Sequence, residues 1–177
     1  MYQTVRDKSG SLRDPPPGRR IGAMRAERQQ AIESWNRATE ALLAVVRGVP
    51  ASQWSVASRN AGWSNKDVLA HLATGYVVRL ALLQSVVETG RPGIAPDAGA
   101  ANTRHIEARR RVSVDELVAE LVTTRAQVLA LLRQLSDEAL DLEVNDGGGV
   151  TRLGNDLLTL SQHDLDHAAG LQYATNT

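Results

Sequence analysis

The chain has 177 residues, enough for one domain with a sizeable interior, and its twenty Lys and Arg balance twenty Asp and Glu, which gives no electrostatic case for a nucleic-acid or acidic-membrane partner. Cysteine is absent, excluding disulfides, thiolate metal ligands and a protein thiol nucleophile, so that any thiol chemistry would need a thiol brought in as cosubstrate. Uninterrupted apolar runs fall far short of the roughly 20 residues of a membrane-spanning helix, and no apolar signal region opens the chain, which predicts a soluble, cytoplasmic protein.

Residues 1–23 hold Pro15-Pro16-Pro17-Gly18 among polar and charged neighbours, and predict a disordered arm ahead of Met24. From Met24 a helical period sets in, with Ala31, Trp35, Ala38, Leu42, Val45 and Val46 on one stripe and Arg47-Gly48-Val49-Pro50 as a stop with Gly48 at C′. Residues 51–62 form a polar connection pegged by Trp54. Trp63-Ser64-Asn65-Lys66-Asp67-Val68 then reads as a helix start, with Ser64 as N-cap, Asp67 completing a capping box and Trp63 stapled to Val68. Its stripe is Val68, Leu72, Leu80, Leu83 and Val87, ending at Gly90-Arg91-Pro92. The stretch up to Val112 has no sustained period and reads as an unusually long loop carrying His105 and the run Arg109-Arg110-Arg111.

A second capping box, Ser113 with Glu116, and a Val112–Leu117 staple open the third helical segment, whose core residues are Leu117, Leu121, Val128, Leu131, Leu132 and Leu135. Residues 136–140 can add a turn, and Asn145-Asp146-Gly147-Gly148-Gly149 is a turn or loop. The last helix starts near Thr151 or Asn155 and carries Leu157, Leu160 and Leu171. No strand alternation competes, so the expected class is all-α, an antiparallel four-helix bundle over residues 24–175.

The chemistry concentrates in His163-Asp164-Leu165-Asp166-His167. Histidines at i and i+4 lie on one helix face and both reach one metal ion, although the same spacing also occurs in ordinary surface or core pairs. Asp164 stands where a His-Glu-x-x-His metalloprotease carries its glutamate, which removes that reading. A third ligand is His71, about 10 Å up its helix from Ser64, against about 12 Å for His163 counted from Asn155. In an up-down-up-down bundle those two helices run parallel and the heights agree, with the site opening toward the end where they begin. Asp164 and Asp166 are candidate helpers that could orient a ligand or move a proton, or equally be solvated faces. Asp67 could orient His71 but serves first as a cap, and Tyr76 points away from His71 by period and is left out.

The run from Gly62 through Leu72, Gly-Trp-Ser-Asn-Lys-Asp-Val-Leu-Ala-His-Leu, followed by His163-x-x-x-His167, resembles the DinB-like four-helix-bundle superfamily, which includes mycothiol-dependent maleylpyruvate isomerases. The resemblance covers about residues 24–173 and implies a divalent metal, zinc or nickel, on His71, His163 and His167. The isomerase branch tends to carry glutamate where this chain has His163, and a C-terminal domain without counterpart here, which places the chain nearer the general DinB-like branch. Three neutral imidazoles leave an open coordination position, as in reactive rather than structural sites. The expected function is therefore a metal-dependent enzyme that activates a low-molecular-weight thiol or water against a small electrophile, of the thiol transferase, isomerase-like or hydrolase kind. The alternative is a non-catalytic bundle, ligand-binding or stress-associated, and a homodimer is compatible with either.

Overall fold

The structure, a computed structural model, describes residues 17–59, 62–93, 98–145 and 149–175. Among these lie five α-helices: α1 Pro17–Gly48, α2 Asn65–Thr89, α3 Ala98–Arg109, α4 Val114–Gln134 and α5 Leu153–Thr175. A two-stranded antiparallel ribbon, β1 Glu143–Asn145 with β2 Val150–Arg152, precedes α5. Helix α1 opens at Pro17, ahead of the expected Met24, because a proline in the first turn gives up only an N–H that has no intrahelical partner there. Residues 17–23 are thus helical; the rest of the expected arm, residues 1–16, lies outside the described residues. At the other end of α1, Gly48 is the last helical residue and not a left-handed C′ position.

Both predicted capping boxes form. Ser64 Oγ accepts from the Asp67 N–H at 3.1 Å while Asp67 accepts from the Ser64 N–H at 2.8 Å, and Ser113 and Glu116 repeat the exchange at the start of α4. Gly90, at φ 69°, ends α2 in the left-handed conformation that glycine adopts without strain. Two elements were not expected. Residues 98–109 form α3 within the predicted loop: alanine at 98, 100, 101 and 108 favours helix, but Ile106 is the one buried apolar side chain among those of its residues 104–109, too little to make a period. The ribbon escapes notice because strands of three residues cannot show alternation.

Helices α1, α2, α4 and α5 form a four-helix bundle whose order is up-down-down-up. Arg28 bonds the Leu135 carbonyl and Arg125 bonds Asn36 and Thr39, so α1 and α4 are antiparallel. Lys66 bonds the Arg110 carbonyl just before α4, and Gly90 shares a groove with Gln134 at the far end, so α2 and α4 run parallel. His71, Tyr76 and Arg79 meet His163, Asp164 and Asp156 in turn, so α2 and α5 are antiparallel. This corrects the expected parallel pair. It also explains the long connection between α2 and α4, since parallel neighbours need a crossover along the bundle, and α3 packs on α2 as part of it.

Trp35, Leu42, Leu69, Leu83, Leu121 and Leu157 are among the fully buried side chains. The predicted stripes hold, with Val45, Leu80, Leu131 and Leu160 packed at the core's edge; Val87 faces outward instead, and Leu82 and Val86 take the interior. Helix α2 is long and apolar enough to suit a membrane span, but half of its most apolar stretch is buried in the bundle and its buried Arg79 is paired with Asp156, as befits a core helix.

Candidate metal centre

The start of α2 is pinned before it reaches His71. The connection from Ala51 folds back so that the Asn65 N–H donates to the Val56 carbonyl at 3.0 Å and Asn65 Nδ2 donates to the Gln53 carbonyl at 2.9 Å, while Trp54 is buried beneath. One turn beyond the capping box, His71 points toward α5, with the Trp63 ring centred 5.2 Å from its own. On α5, His163 and His167 project from one face with ring centroids 4.4 Å apart.

The three rings converge through their Nε2 atoms. His163 Nε2 lies 3.2 Å from His71 Nε2 and 3.1 Å from His167 Nε2, and one ligand atom from each ring lies within 4.8 Å of the others. At a zinc–nitrogen distance of about 2.0–2.1 Å, two nitrogens on one ion stand about 3.3 Å apart at a tetrahedral angle and about 2.9 Å apart at a right angle. The observed spacings fall between these limits, so the donor set fits a divalent cation. Burial, followed by the positive charge that His163 and His71 would carry, pushes the His167 imidazole down to about 4, with Asp166 opposing. At neutral pH His167 is an uncharged donor, the form a metal requires.

The flanking carboxylates part ways. Asp166 is exposed and accepts from Gln162 at 2.9 Å. Asp164 is 1% exposed, and its Oδ2 accepts a 2.6 Å hydrogen bond from the Tyr76 hydroxyl. Burial, then the Asp164 charge and hydrogen bond, push the Tyr76 phenol far up, so it remains the donor. On its own helix Tyr76 turns away from His71, as its period predicts; antiparallel packing brings it to the residue after His163 instead. Asp67 is engaged by Ser64, as its capping role requires. His105 lies on α3, outside the histidine group, and Arg109 pairs with Glu120 at 2.5 and 2.8 Å.

A cavity of about 80 Å³ opens beside His167, lined by Ser58, Arg59, Asn65 and Asp166 among others. Farther from the bundle end, the Arg79 guanidinium and the Asp156 carboxylate form a buried two-pronged ion pair between α2 and α5, one contact at 3.1 Å. Nothing in the sequence periodicity singles out either residue.

The family model described as the DinB superfamily matches residues 34–170. Among solved structures, a mycothiol-dependent maleylpyruvate isomerase superposes with a TM-score of 0.71 at 19% identity, covering 81% of this chain and 60% of that one, so the chain spans about three fifths of the isomerase's length. YfiT from Bacillus subtilis, described as a probable metal-dependent hydrolase with an unusual four-helix bundle topology, gives 0.68 at 20% identity over 94% of this chain and 91% of its own. A DinB-like protein from Bacillus subtilis gives 0.55 at 17% identity, covering 83% and 90%. No curated protein matches the sequence.

Proposed function

Because this chain belongs to the DinB superfamily, and because its three imidazoles converge at metal-ligand spacing, we propose that it is a metal-dependent enzyme in which a small thiol or water attacks a small electrophile. The convergence of the His71, His163 and His167 Nε2 atoms is the observation that carries the reading. A divalent cation, zinc or nickel, held by these residues would supply the Lewis acidity that makes water or a thiol nucleophilic near neutral pH.

The chain's own residues do the rest. His71, His163 and His167 would hold the ion, and as neutral ligands they would leave its charge for the reacting group. The cavity beside His167 would seat a small ligand, and the Arg59 charge in its wall favours a polar or anionic one. With no cysteine in the chain, a thiol nucleophile would be a diffusible cosubstrate. The two better-matching structures support the two nucleophiles in turn: one is named for its dependence on mycothiol, the other is described as a probable hydrolase.

Elemental analysis of protein purified without a histidine tag tests the proposal. About one divalent ion per chain is expected, lost in His71→Ala, His163→Ala and His167→Ala, each of which should stay helical by circular dichroism. Loaded protein should then turn over electrophiles in the presence of one of a panel of low-molecular-weight thiols, or hydrolyse them without any. A well-folded wild type that takes up no zinc or nickel would overturn it.

A further inference from the structure

We infer that Asp164, braced by Tyr76, is a positioning residue that keeps the proton of His163 on Nδ1 and so turns the Nε2 lone pair toward His71 and His167. This deepens the metal-site reading, but the tautomer it assigns belongs to the metal-free protein as well. Three observations lead there. His163 Nε2 is the one nitrogen near both partner rings, and a shared ion, or N–H groups on both partners, would call on its lone pair. The proton of a neutral His163 then has to sit on Nδ1, which is buried and has no hydrogen-bond partner. The closest carboxylate oxygen is Asp164 Oδ1, 3.6 Å away: too long for a hydrogen bond, but close enough for its charge to favour a proton on the facing nitrogen.

The carboxylate is therefore shared between two neighbours. Oδ2 is taken by the Tyr76 hydroxyl on α2, which leaves Oδ1 directed at His163. Tyr76 is itself fixed, 3% exposed, with its ring 5.0 Å from that of Trp35 on α1. Three helices thus set the orientation of one imidazole. Carboxylates that face the distal nitrogen of a metal-bound histidine play this role generally, and their loss weakens metal binding about 10–100-fold.

Asp164→Asn makes a sharp test. Tyr76 donates, so it claims the amide oxygen and turns the amide NH2 toward His163, inverting the preference: Nδ1 becomes the acceptor and the proton moves to Nε2. Nitrogen-15 NMR of the histidine side chains in metal-free protein should show His163 protonated on Nδ1 in the wild type and on Nε2 in Asp164→Asn. Zinc affinity, read by competition with a chromogenic chelator, should fall about 10–100-fold in the variant. Adding Tyr76→Phe frees the amide to rotate and should return the proton to Nδ1 and recover part of the affinity, which a merely structural role of Asp164 would not do. An unchanged tautomer in Asp164→Asn overturns the inference. If Asp164→Asn does not fold, Tyr76→Phe alone decides: zinc affinity should drop by less than in the carboxylate variant predicted above, and affinity equal to the wild type overturns it. Should the wild type bind no metal, the functional reading fails, while the tautomer comparison still judges this inference.

Discussion

Arg79 and Asp156 close on each other between α2 and α5, whereas His71, His163 and His167, at the same helix interface nearer the bundle end, aim their nitrogens at a common point. The first contact joins opposite charges: two guanidinium nitrogens meet the two carboxylate oxygens. The second brings together three groups of one kind, with His163 Nε2 lying 3.2 and 3.1 Å from the Nε2 atoms of the other two. Polar groups in a bundle interior are ordinarily satisfied by complementary partners. Three like groups aimed at one point, one level away from a pair of opposite charges, make the histidine cluster the place where the proposed ion would sit. Tyr76 and Asp164 lie between the two and belong to both, a satisfied hydrogen bond whose spare oxygen serves the open cluster.

The largest expected effect breaks the closed half of this comparison. Asp156→Ala leaves the Arg79 guanidinium buried opposite a void, and should cost about 3–5 kcal/mol in urea unfolding. Replacing both partners together, Arg79→Met with Asp156→Leu, should recover most of that, because the desolvation penalty leaves with the charges. A loss from Asp156→Ala no larger than that of an ordinary surface substitution would show that the pair is not the structural tie it looks like.

The contrast also explains what was legible in the sequence. The starts of α2 and α4 were readable because capping boxes are local: Ser64 with Asp67 and Ser113 with Glu116 need only four residues of chain. His163 and His167 were readable for the same reason, at one turn's spacing. His71 was found through an assumed parallel packing that is in fact antiparallel. The rings meet all the same, because His163 lies near the middle of α5, where height counted from either end is similar. Tyr76 with Asp164, and Arg79 with Asp156, are pairings 88 and 77 residues apart whose existence depends on helix direction, so no local pattern could show them. The crossover helix α3 is not legible because its sequence carries no apolar period, with Ile106 the one buried apolar side chain among residues 104–109.

A second effect sharpens the open half. His167 ordinarily titrates at 6.5, and burial with its two histidine neighbours brings it to about 4 in the folded protein. Between those values the unfolded chain binds a proton that the folded chain refuses, so the stability of metal-free protein should fall as the pH drops from 6.5 toward 4, and flatten below. Urea midpoints across this window should fall in the wild type, and His167→Gln should remove that part of the slope. Bound metal should be released over the same range as protons compete for the ring nitrogens. A slope that is the same in His167→Gln would mean that the cluster is not what the acid attacks.

The smallest effect separates stiffness supplied by the helix start from stiffness supplied beneath the ring. Ser64→Ala removes the oxygen that accepts from the Asp67 N–H and should cost about 1 kcal/mol of stability, as N-cap losses do. His71 lies beyond the turn that would fray, between the buried Ala70 and Leu72 and against the Trp63 ring, so its position should hold and zinc affinity should change far less than in Asp164→Asn. The two variants bear on different halves of the ligand set: one on the N-terminus of the helix that presents His71, the other on the carboxylate facing His163. Comparable losses of affinity would locate the rigidity of the site in the capped start of α2. A large loss from Asp164→Asn alone would locate it in the Tyr76–Asp164 brace, where the three helices meet.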